Sequence, residues 1–525
     1  MDTFFGISGR FQTPATLIFL ILGAALATLS WAPFNLWPLA LVTLVIFHQA
    51  IATASIKQVV WRSMLFGLVM NLSGIYWLYV SMHEHGGASP FLATLMVVGF
   101  CIFLAVVLFL PFVYLYARIW RDAPTGLTLG FAAMWVLNEW YRSWILTGFP
   151  WLYFGYTQTE APLAPWAPVI GTFGLTFVLA FTAGVISQWI SQIKHGRASK
   201  KALFSQTLIV ALLWIAPFGL KQVEWVTRKD DTPVKVALIQ PNLSLQEKWN
   251  PAMFQPILNY FRQTTEGLTD QDIVIWPETA IPRNYHRVTG YLDVIDTEGQ
   301  ASNTSVILGI PSKWRKDDRV VSHNSIISIG AGKGIYHKQK LVPFGEYVPL
   351  EDWIRGLIQF FDLPMSHFRP GPENQEMLKA GNIEIAPFIC YEVVYPDLVS
   401  KAAERADIFL TVSNDAWFGE SIGPLQHLQM AQMRALENGR YLLRGTNTGV
   451  TVVVGPDGKI IEQLPQFERG VLKTEVYAMK GLTPLARYGT LPVVLLSAFI
   501  AVILFLSKRS FARRPGDNAN DPNTD

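Results

Sequence analysis

Long apolar stretches separated by short polar loops fill residues 15–220 of this chain, and one more apolar stretch lies near its C-terminus. A helix needs about 20 apolar residues to cross the hydrocarbon core of a bilayer. The pattern therefore predicts a polytopic α-helical membrane bundle of about eight spans, at 15–32, 37–54, 63–82, 90–117, 125–146, 164–190, 203–220 and 489–507.

The first span resembles a secretory signal peptide, because Arg10 precedes it and Ala-Leu-Ala occupies 25–27. A second apolar segment follows almost at once, which favours a retained membrane anchor. The first two spans are short, so we expect them to lie tilted or shallow in the bilayer.

Basic residues follow every second span. Lys57 and Arg62 follow the second, and Lys or Arg residues again follow the fourth, sixth and eighth, whereas loops 83–89 and 147–163 have none. Short cytoplasmic loops carry the Lys and Arg residues of membrane proteins. The asymmetry predicts that both termini are cytoplasmic and that residues 221–487 lie on the opposite side.

Residues 221–487 carry short β-branched runs separated by helical or loop stretches, which is typical of a layered α/β domain. We predict helices at 251–267 and 424–438, an Asp-Gly turn at 455–461, and strands at 234–240, 272–276, 304–310, 323–329, 383–390, 407–412 and 448–454. The expected organisation is a seven-span bundle (1–220), an α/β domain (221–487), an eighth span (488–507) and a disordered cytoplasmic tail (508–525).

The composition excludes several classes of function. The net charge of +3 reflects the basic loops, and no basic stripe with interleaved aromatic residues indicates nucleic-acid binding. Cys101 lies deep in an apolar span and is read as a packing residue, so the chain's two cysteines predict no disulfide. His83, Glu84 and His85 resemble a metal cluster only superficially, and we predict neither a metal site nor a cofactor.

Cys390 is the strongest candidate for chemistry, because it ends an apolar run that reads as a buried strand. A lone cysteine in that place is often core filler. Two upstream residues favour catalysis instead: Glu278, which closes another strand-like run, and Lys338. A thiol is mostly protonated at neutral pH, so a cysteine nucleophile needs a base such as Glu278 and a cation such as Lys338.

The same residues resemble the Glu-Lys-Cys triad of the nitrilase superfamily, which uses an α-β-β-α sandwich. Several further stretches are similar to the membrane-bound apolipoprotein N-acyltransferases of Gram-negative bacteria. They are LTGFPWLYFGY (146–156), LVPFGEYVPL (341–350), SNDAWFG (413–419) and QHLQMAQMRALENGRYLLRGTNTGVT (426–451). The resemblance covers nearly the whole chain.

The resemblance implies a role for each matching residue. Glu278 would be the base, Lys338 the stabilising cation and Cys390 the nucleophile. It also implies a second essential carboxylate, Glu346, and a set of residues that line or support the site, which are Trp249, Tyr391, Glu392, Trp417 and Phe418. The implied activity is acyl transfer from a phospholipid, with phosphatidylethanolamine as the expected donor, through a cysteine thioester. The acceptor would be the α-amine of the diacylglyceryl-cysteine of an apolipoprotein, at the periplasmic face of the inner membrane.

Two further segments allow more than one interpretation. Residues 351–365 carry Trp353, Ile354, Leu357, Ile358 and Phe361 at helical spacing, which fits either a core helix or an interfacial arm that dips into the bilayer. Glu139 and Arg142 lie three residues apart near the outer end of the fifth span. They fit either an ion pair on one helix face or a contact with a phospholipid headgroup.

Two rival functions remain open from the residues alone. A membrane-anchored amidase acting on soluble amides would need only one anchoring span. A transporter with an inactive triad would need several polar residues in mid-membrane, and spans one, two, seven and eight carry almost none.

Overall fold

The structure is a computed structural model that describes residues 14–123, 125–195, 200–316, 319–343, 345–347 and 368–512. Apolar helices form the first part of the chain. They are α1 (Pro14–Leu26), α2 (Pro38–Ile51), α3 (Ile56–Gly74), α4 (Leu78–His85), α5 (Pro90–Trp120), α6 (Phe131–Arg142), α7 (Ala167–His195, broken at Gly171) and α8 (Lys200–Leu220).

Within the described residues, four helices are long and apolar enough to cross a membrane, or five if the bent pair α3 and α4 counts as one span. The prediction of about eight spans is therefore not confirmed. The reason is length. Helices α1 and α2 have 13 and 14 residues and α6 has 12, fewer than the roughly 20 that a full crossing needs. The chain is a membrane protein with several apolar helices, as the exposed Phe204, Leu212 and Phe218 of α8 illustrate.

The second part of the chain contains the strands. They are β1 (Val226–Arg228), β2 (Val234–Gln240), β3 (Ile273–Ile275), β4 (Ser305–Lys316), β5 (Arg319–Gly330), β6 (Gly332–His337), β7 (Leu378–Ala380), β8 (Ile383–Ile389), β9 (Ile408–Ser413), β10 (Leu442–Thr446), β11 (Val452–Val454), β12 (Ile460–Gln463), β13 (Gly470–Val476) and β14 (Met479–Gly481). Helices between and after them are α9 (Leu245–Trp249), α10 (Phe254–Glu266), α11 (Thr289–Ser302), α12 (Pro396–Ala403), α13 (Gly423–Asn438), α14 (Pro484–Tyr488) and α15 (Leu491–Ala512).

Twelve of these strands form one ladder in the order β12-β11-β10-β9-β8-β7-β6-β5-β4-β3-β2-β13, and β1 pairs with β14. The ladder folds into two facing halves. Val236 and Ile275 from one half share a core with Ile385 and Leu410 from the other. Alternate residues of β2 point away from that core, because side chains alternate across a strand; Ala237 and its neighbours pack on α10 and α11.

The other half of the sheet packs on α12 and α13, which completes an α-β-β-α sandwich and confirms the fold implied by the resemblance. Phe409 of β9 and Met430 of α13 belong to the same buried cluster as Trp135 of α6 and Phe47 of α2. The core under α12 and α13 therefore continues without a break into the helical region.

Every strand and both helices predicted in the outer part occur, with shifted ends. The sequence did not predict seven strands (β1, β6, β7, β10, β12, β13, β14) and four helices (α9, α11, α12, α14). Strand β12 is a four-residue strand at the edge of the sheet with all residues exposed, and its Ile-Ile-Glu-Gln sequence lacks the alternation of apolar and polar residues that marks a strand. The predicted Asp-Gly turn joins β11 to β12, with the Gly455 N–H donating to the Lys459 carbonyl over 2.8 Å.

Candidate active site

Cys390 follows β8 in a backbone conformation that few residues other than glycine adopt, with φ of +53°. Its neighbours Tyr391–Val394 continue in a short 3-10 turn, so the chain changes direction at the cysteine. The thiol residue is half-buried. Left-handed backbone at a non-glycine residue stores about 1–3 kcal/mol of strain, which surrounding contacts must offset.

Glu278 lies beyond the end of β3, where Pro277 cannot donate to the sheet ladder. Gly309 on the adjacent strand allows a close approach, because a Cβ there would lie 2.7 Å from the Glu278 Cα. The carboxylate accepts hydrogen bonds from the Asn324 side chain (2.7 Å) and the Asn414 backbone N–H (2.8 Å). These two donors fix the direction of the carboxylate.

Lys338 follows β6 and is 1% exposed. Its Nζ lies 2.7 Å from Glu346 Oε2 and 3.9 Å from Glu278 Oε1. Glu346 also accepts hydrogen bonds from the Asn324 side chain (3.0 Å) and the Val342 N–H (2.9 Å). One lysine thus lies between two carboxylates, and Glu346 holds it more closely.

Glu392 links the cysteine turn to the lysine loop. One oxygen accepts from the Ile389 N–H (2.7 Å), and the other from the Tyr336 hydroxyl (2.9 Å) and the Gln339 N–H (2.6 Å). Tyr391 extends from the same turn toward the helical region, where its hydroxyl donates to the Gly148 carbonyl (3.0 Å) and its ring stacks on Trp151. Both side chains support the turn that carries Cys390.

Two sequence comparisons place this geometry in a family. Family models match residues 23–185 (apolipoprotein N-acyltransferase N-terminal domain) and 235–480 (carbon-nitrogen hydrolase). An apolipoprotein N-acyltransferase of Pseudomonas aeruginosa (strain LESB58) is 43% identical over 94% of this chain and 96% of its own length. That of Azotobacter vinelandii is 42% identical over 96% and 97%, and that of Vibrio parahaemolyticus 38% identical over 92% and 95%. The chain belongs to the apolipoprotein N-acyltransferase family.

The electrostatics of the triad in this N-acyltransferase family member fit general-base activation of a thiol. Burial raises the pKa of Cys390, and the Glu278 charge raises it further while Lys338 opposes the shift. Burial also raises the pKa of Glu278. The Lys338 charge opposes this increase, and the Glu346 charge adds to it. A resting thiol beside a carboxyl group of raised basicity is the arrangement that general-base catalysis requires.

Lys338 stays cationic in this setting. Burial alone would lower its pKa, but the charges of Glu346 and Glu278 outweigh burial and raise it. A fixed ammonium group in a buried site stabilises an oxyanion without reorganising, so Lys338 fits the stabilising role.

The residues predicted to bind substrate lie at the edge of this site. Trp249 ends α9, and the preceding Lys248 donates to the Glu278 carbonyl (2.9 Å). Trp417 accepts a hydrogen bond from Ser81 at its carbonyl (2.7 Å), and Phe418 packs edge-on against Trp77. The 413–419 loop therefore joins the helical region to the triad.

Glu139 and Arg142 bind separate partners, so the first of the two interpretations, an ion pair between them, is wrong. The Glu139 carboxylate accepts from the Phe154 N–H (3.0 Å) and the Thr176 hydroxyl (2.7 Å), whereas Arg142 donates to the Trp151 carbonyl. Both side chains are buried, with 1% and 3% exposed. They anchor the 151–154 segment inside the helical region, which leaves no exposed charge for a lipid headgroup. The predicted arm residues Trp353, Ile354, Leu357, Ile358 and Phe361 lie outside the described residues.

Sequence reasoning missed Asn324, which bridges Glu278 and Glu346 from the middle of β5. A signal was present, because asparagine is depleted in strands and this one stands beside His323 in a strand that is otherwise mostly apolar or small. It missed Lys248 because a lysine on a short helix reads as a solvated residue, although this one is 2% exposed.

Proposed function

We propose that this protein transfers an acyl chain from a phospholipid, through a thioester on Cys390, to the α-amine of the diacylglyceryl-cysteine of an apolipoprotein. The observation that carries the proposal is the buried Glu278–Lys338–Glu346 arrangement beside a cysteine held in left-handed backbone. Family membership supports the acceptor, and phosphatidylethanolamine is the expected donor.

In the first half-reaction, Glu278 takes the thiol proton as the sulfur attacks the ester carbonyl carbon. The oxyanion forms beside the Lys338 ammonium group. The ester C–O bond then breaks, and the leaving lysophospholipid oxygen takes the proton from Glu278. The products are a thioester and a lysophospholipid.

In the second half-reaction, the neutral α-amine of the acceptor attacks the thioester carbonyl. Glu278 takes a proton from the amine nitrogen, the C–S bond breaks, and the sulfur recovers a proton to regenerate the thiol. An amide forms, and the enzyme returns to its starting state. Trp417 and Phe418 are proposed to contact the substrate, since their loop lies between the triad and the helical region.

An inner-membrane location suits this chemistry. We propose that residues 221–487 face the periplasm and that both termini face the cytoplasm. The donor is confined to the bilayer, so the site must be held against it, and the continuous core between α13 and the helical region supports that placement. A soluble-amide hydrolase would have no use for four or five apolar helices.

Mass spectrometry of the purified protein after incubation with phosphatidylethanolamine tests the proposal. The Cys390 peptide should gain the mass of one fatty acid minus one water, hydroxylamine should remove this adduct, and an apolipoprotein acceptor should discharge it as an amide. The Cys390→Ser variant should gain no thioester. Turnover without any adduct on the Cys390 peptide, or an adduct that the acceptor does not discharge, would overturn the proposal.

A further inference from the structure

Three buried polar side chains form a cluster behind Cys390. Asp415 lies in the turn after β9, His427 on α13 and Arg444 on β10, and each is at most 1% exposed. One guanidinium nitrogen of Arg444 donates to Asp415 Oδ2 (2.7 Å) and also faces His427 Nδ1 (3.1 Å). His427 Nε2 lies 3.1 Å from the carbonyl oxygen of Cys390.

The partners of His427 determine where its proton lies. A carbonyl oxygen only accepts and a guanidinium group only donates. Nε2 must therefore carry the hydrogen that reaches Cys390. Nδ1 faces the Arg444 nitrogen at 3.1 Å and Asp415 Oδ1 at 3.5 Å, and the shorter contact favours a bare Nδ1 that accepts from Arg444. Burial lowers the pKa of His427 and the Arg444 charge lowers it further. Asp415 opposes this shift without cancelling it, which agrees with a neutral ring.

The same cluster is connected to the catalytic base. Asn414, the residue before Asp415, donates its N–H to Glu278 Oε2 over 2.8 Å. The Asp415 carboxylate is closely packed, because a Cβ at Gly449 would lie 2.3 Å from its Oδ2. A shift of Asp415 would therefore disturb the base through Asn414 and the nucleophile through His427.

We propose that His427 is a positioning residue that holds the left-handed backbone of Cys390 through an Nε2–H hydrogen bond, in a ring tautomer fixed by Arg444 and Asp415. The inference rests on the proposed function, since it takes Cys390 as the nucleophile. The strained backbone at Cys390 needs fixed partners, and this hydrogen bond acts directly on its carbonyl.

The rate at which iodoacetamide alkylates Cys390 in the full-length protein tests the inference, because this small reagent needs no lipid binding. His427→Leu removes the donor and should slow alkylation at least about tenfold, since the thiol loses its alignment with Glu278 and Lys338. His427→Gln can both donate to Cys390 and accept from Arg444, so it should recover most of the rate. Acyl-enzyme formation with phosphatidylethanolamine should follow the same order.

Gln432→Leu is the matched control. Gln432 is a buried polar residue on the same helix, and it donates to Glu160 (2.7 Å) and Gly458 (3.0 Å), away from Cys390. Alkylation should stay near the wild-type rate in this variant. Equal slowing in Gln432→Leu and His427→Leu, or no slowing in a folded His427→Leu protein, would overturn the inference. A wild-type protein that forms no thioester would instead contradict the proposed function.

Discussion

At the scale of single residues, the two carboxylates around Lys338 have different tasks. Glu346 lies 2.7 Å from the lysine nitrogen and Glu278 lies 3.9 Å away. The closer pair neutralises itself, whereas Glu278 is held by the neutral donors Asn324 and Asn414 and remains able to accept a proton. These contacts support the proposed roles, in which Glu346 pairs with the Lys338 cation and Glu278 takes the thiol proton.

If these roles are correct, the variants Glu278→Gln and Lys338→Met should each form the acyl-enzyme thioester slowly. Loss of a general base or of an oxyanion partner each costs about 10²–10⁴-fold in rate, and the two losses should not add because the groups act as a unit. Single-turnover thioester formation measures both. Lys340→Met is the control, since Lys340 is exposed and its Nζ lies 5.6 Å from the Tyr395 ring centre. A thioester lost in Lys340→Met but kept in Lys338→Met would reverse the choice of lysine.

The pH dependence of thioester formation should report Glu278. The base must be ionised, and its pKa is raised above the usual carboxyl range, first by burial and then by Glu346. The rate of thioester formation should therefore rise with pH, and the midpoint of this rise (the acid limb) should lie above the usual carboxyl pKa range. Asn324→Ala removes a hydrogen bond that lowers the pKa of Glu278, so this variant should move the limb to higher pH. An unmoved limb in a folded Asn324→Ala protein would argue that another group controls it.

At the scale of elements, helix α13 is buried from Gln426 to Asn438, because the sheet covers one side and the helical region the other. Its polar side chains face buried partners rather than water. Gln426 accepts from the indole N–H groups of Trp77 (3.0 Å) and Trp151 (2.8 Å) and donates to the Gly74 carbonyl (3.1 Å). A helix buried on all sides needs such pairing, since each unpaired buried polar group costs about 1–3 kcal/mol.

Gln426→Leu should destabilise the protein by about 2–4 kcal/mol, since it leaves two indole N–H groups and one carbonyl unpaired. Thermal unfolding of the full-length protein in detergent measures the effect. Gln255→Leu is the control, because Gln255 is exposed and its side chain donates to Asn259 one turn away. Equal melting temperatures for the two variants would contradict the prediction.

The same scale explains how much the sequence could predict. Strands β8 and β3 were predicted correctly because their residues are apolar on both faces, and Cys390 and Glu278 became candidates because they stand just beyond these strands. The choice of Lys338 rests on the family resemblance. The positions of Asn324, His427 and Arg444 were not predictable, since each acts through contacts between elements far apart in sequence. The 351–365 arm stays a prediction, and the pairing of Glu139 with Arg142 failed because the 151–154 segment folds back over both side chains.

At the scale of the whole molecule, the layers run from α10 and α11 through two half-sheets to α12 and α13, and from there into the helical region. The first four layers form the sandwich. The fourth of them, made of α12 and α13, shares one core with α2 and α6 of the helical region. This stacking holds the site against the apolar helices. The sequence alone showed only that the hydrophobic pattern changes near residue 220, and not that the two parts pack together.

The direction of insertion rests on the basic loops. A reporter fused after Lys201 should behave as cytoplasmic, and one inserted at Asp230, in the exposed loop between β1 and β2, as periplasmic. Paired reporters of alkaline phosphatase and fluorescent-protein type distinguish the two compartments. Both reporters on one side would mean that α8 does not cross the membrane.

The shared core also predicts that the outer part cannot stand alone. Residues 221–487 expressed as a fragment would expose the face of α13 that packs on the helical region. Apolar residues such as Met430 share a buried core with Trp135 there, and Glu437 accepts from the N–H and hydroxyl of Thr172 at 2.8 Å. Large exposed apolar patches drive association. The fragment should therefore aggregate, whereas the full chain in detergent should elute as a defined species. Gel filtration and a thermal melt monitored by circular dichroism measure both. A monomeric fragment that melts cooperatively at the temperature of the full chain would contradict a continuous core, and would place the energetic boundary near residue 220, where the hydrophobic pattern changes.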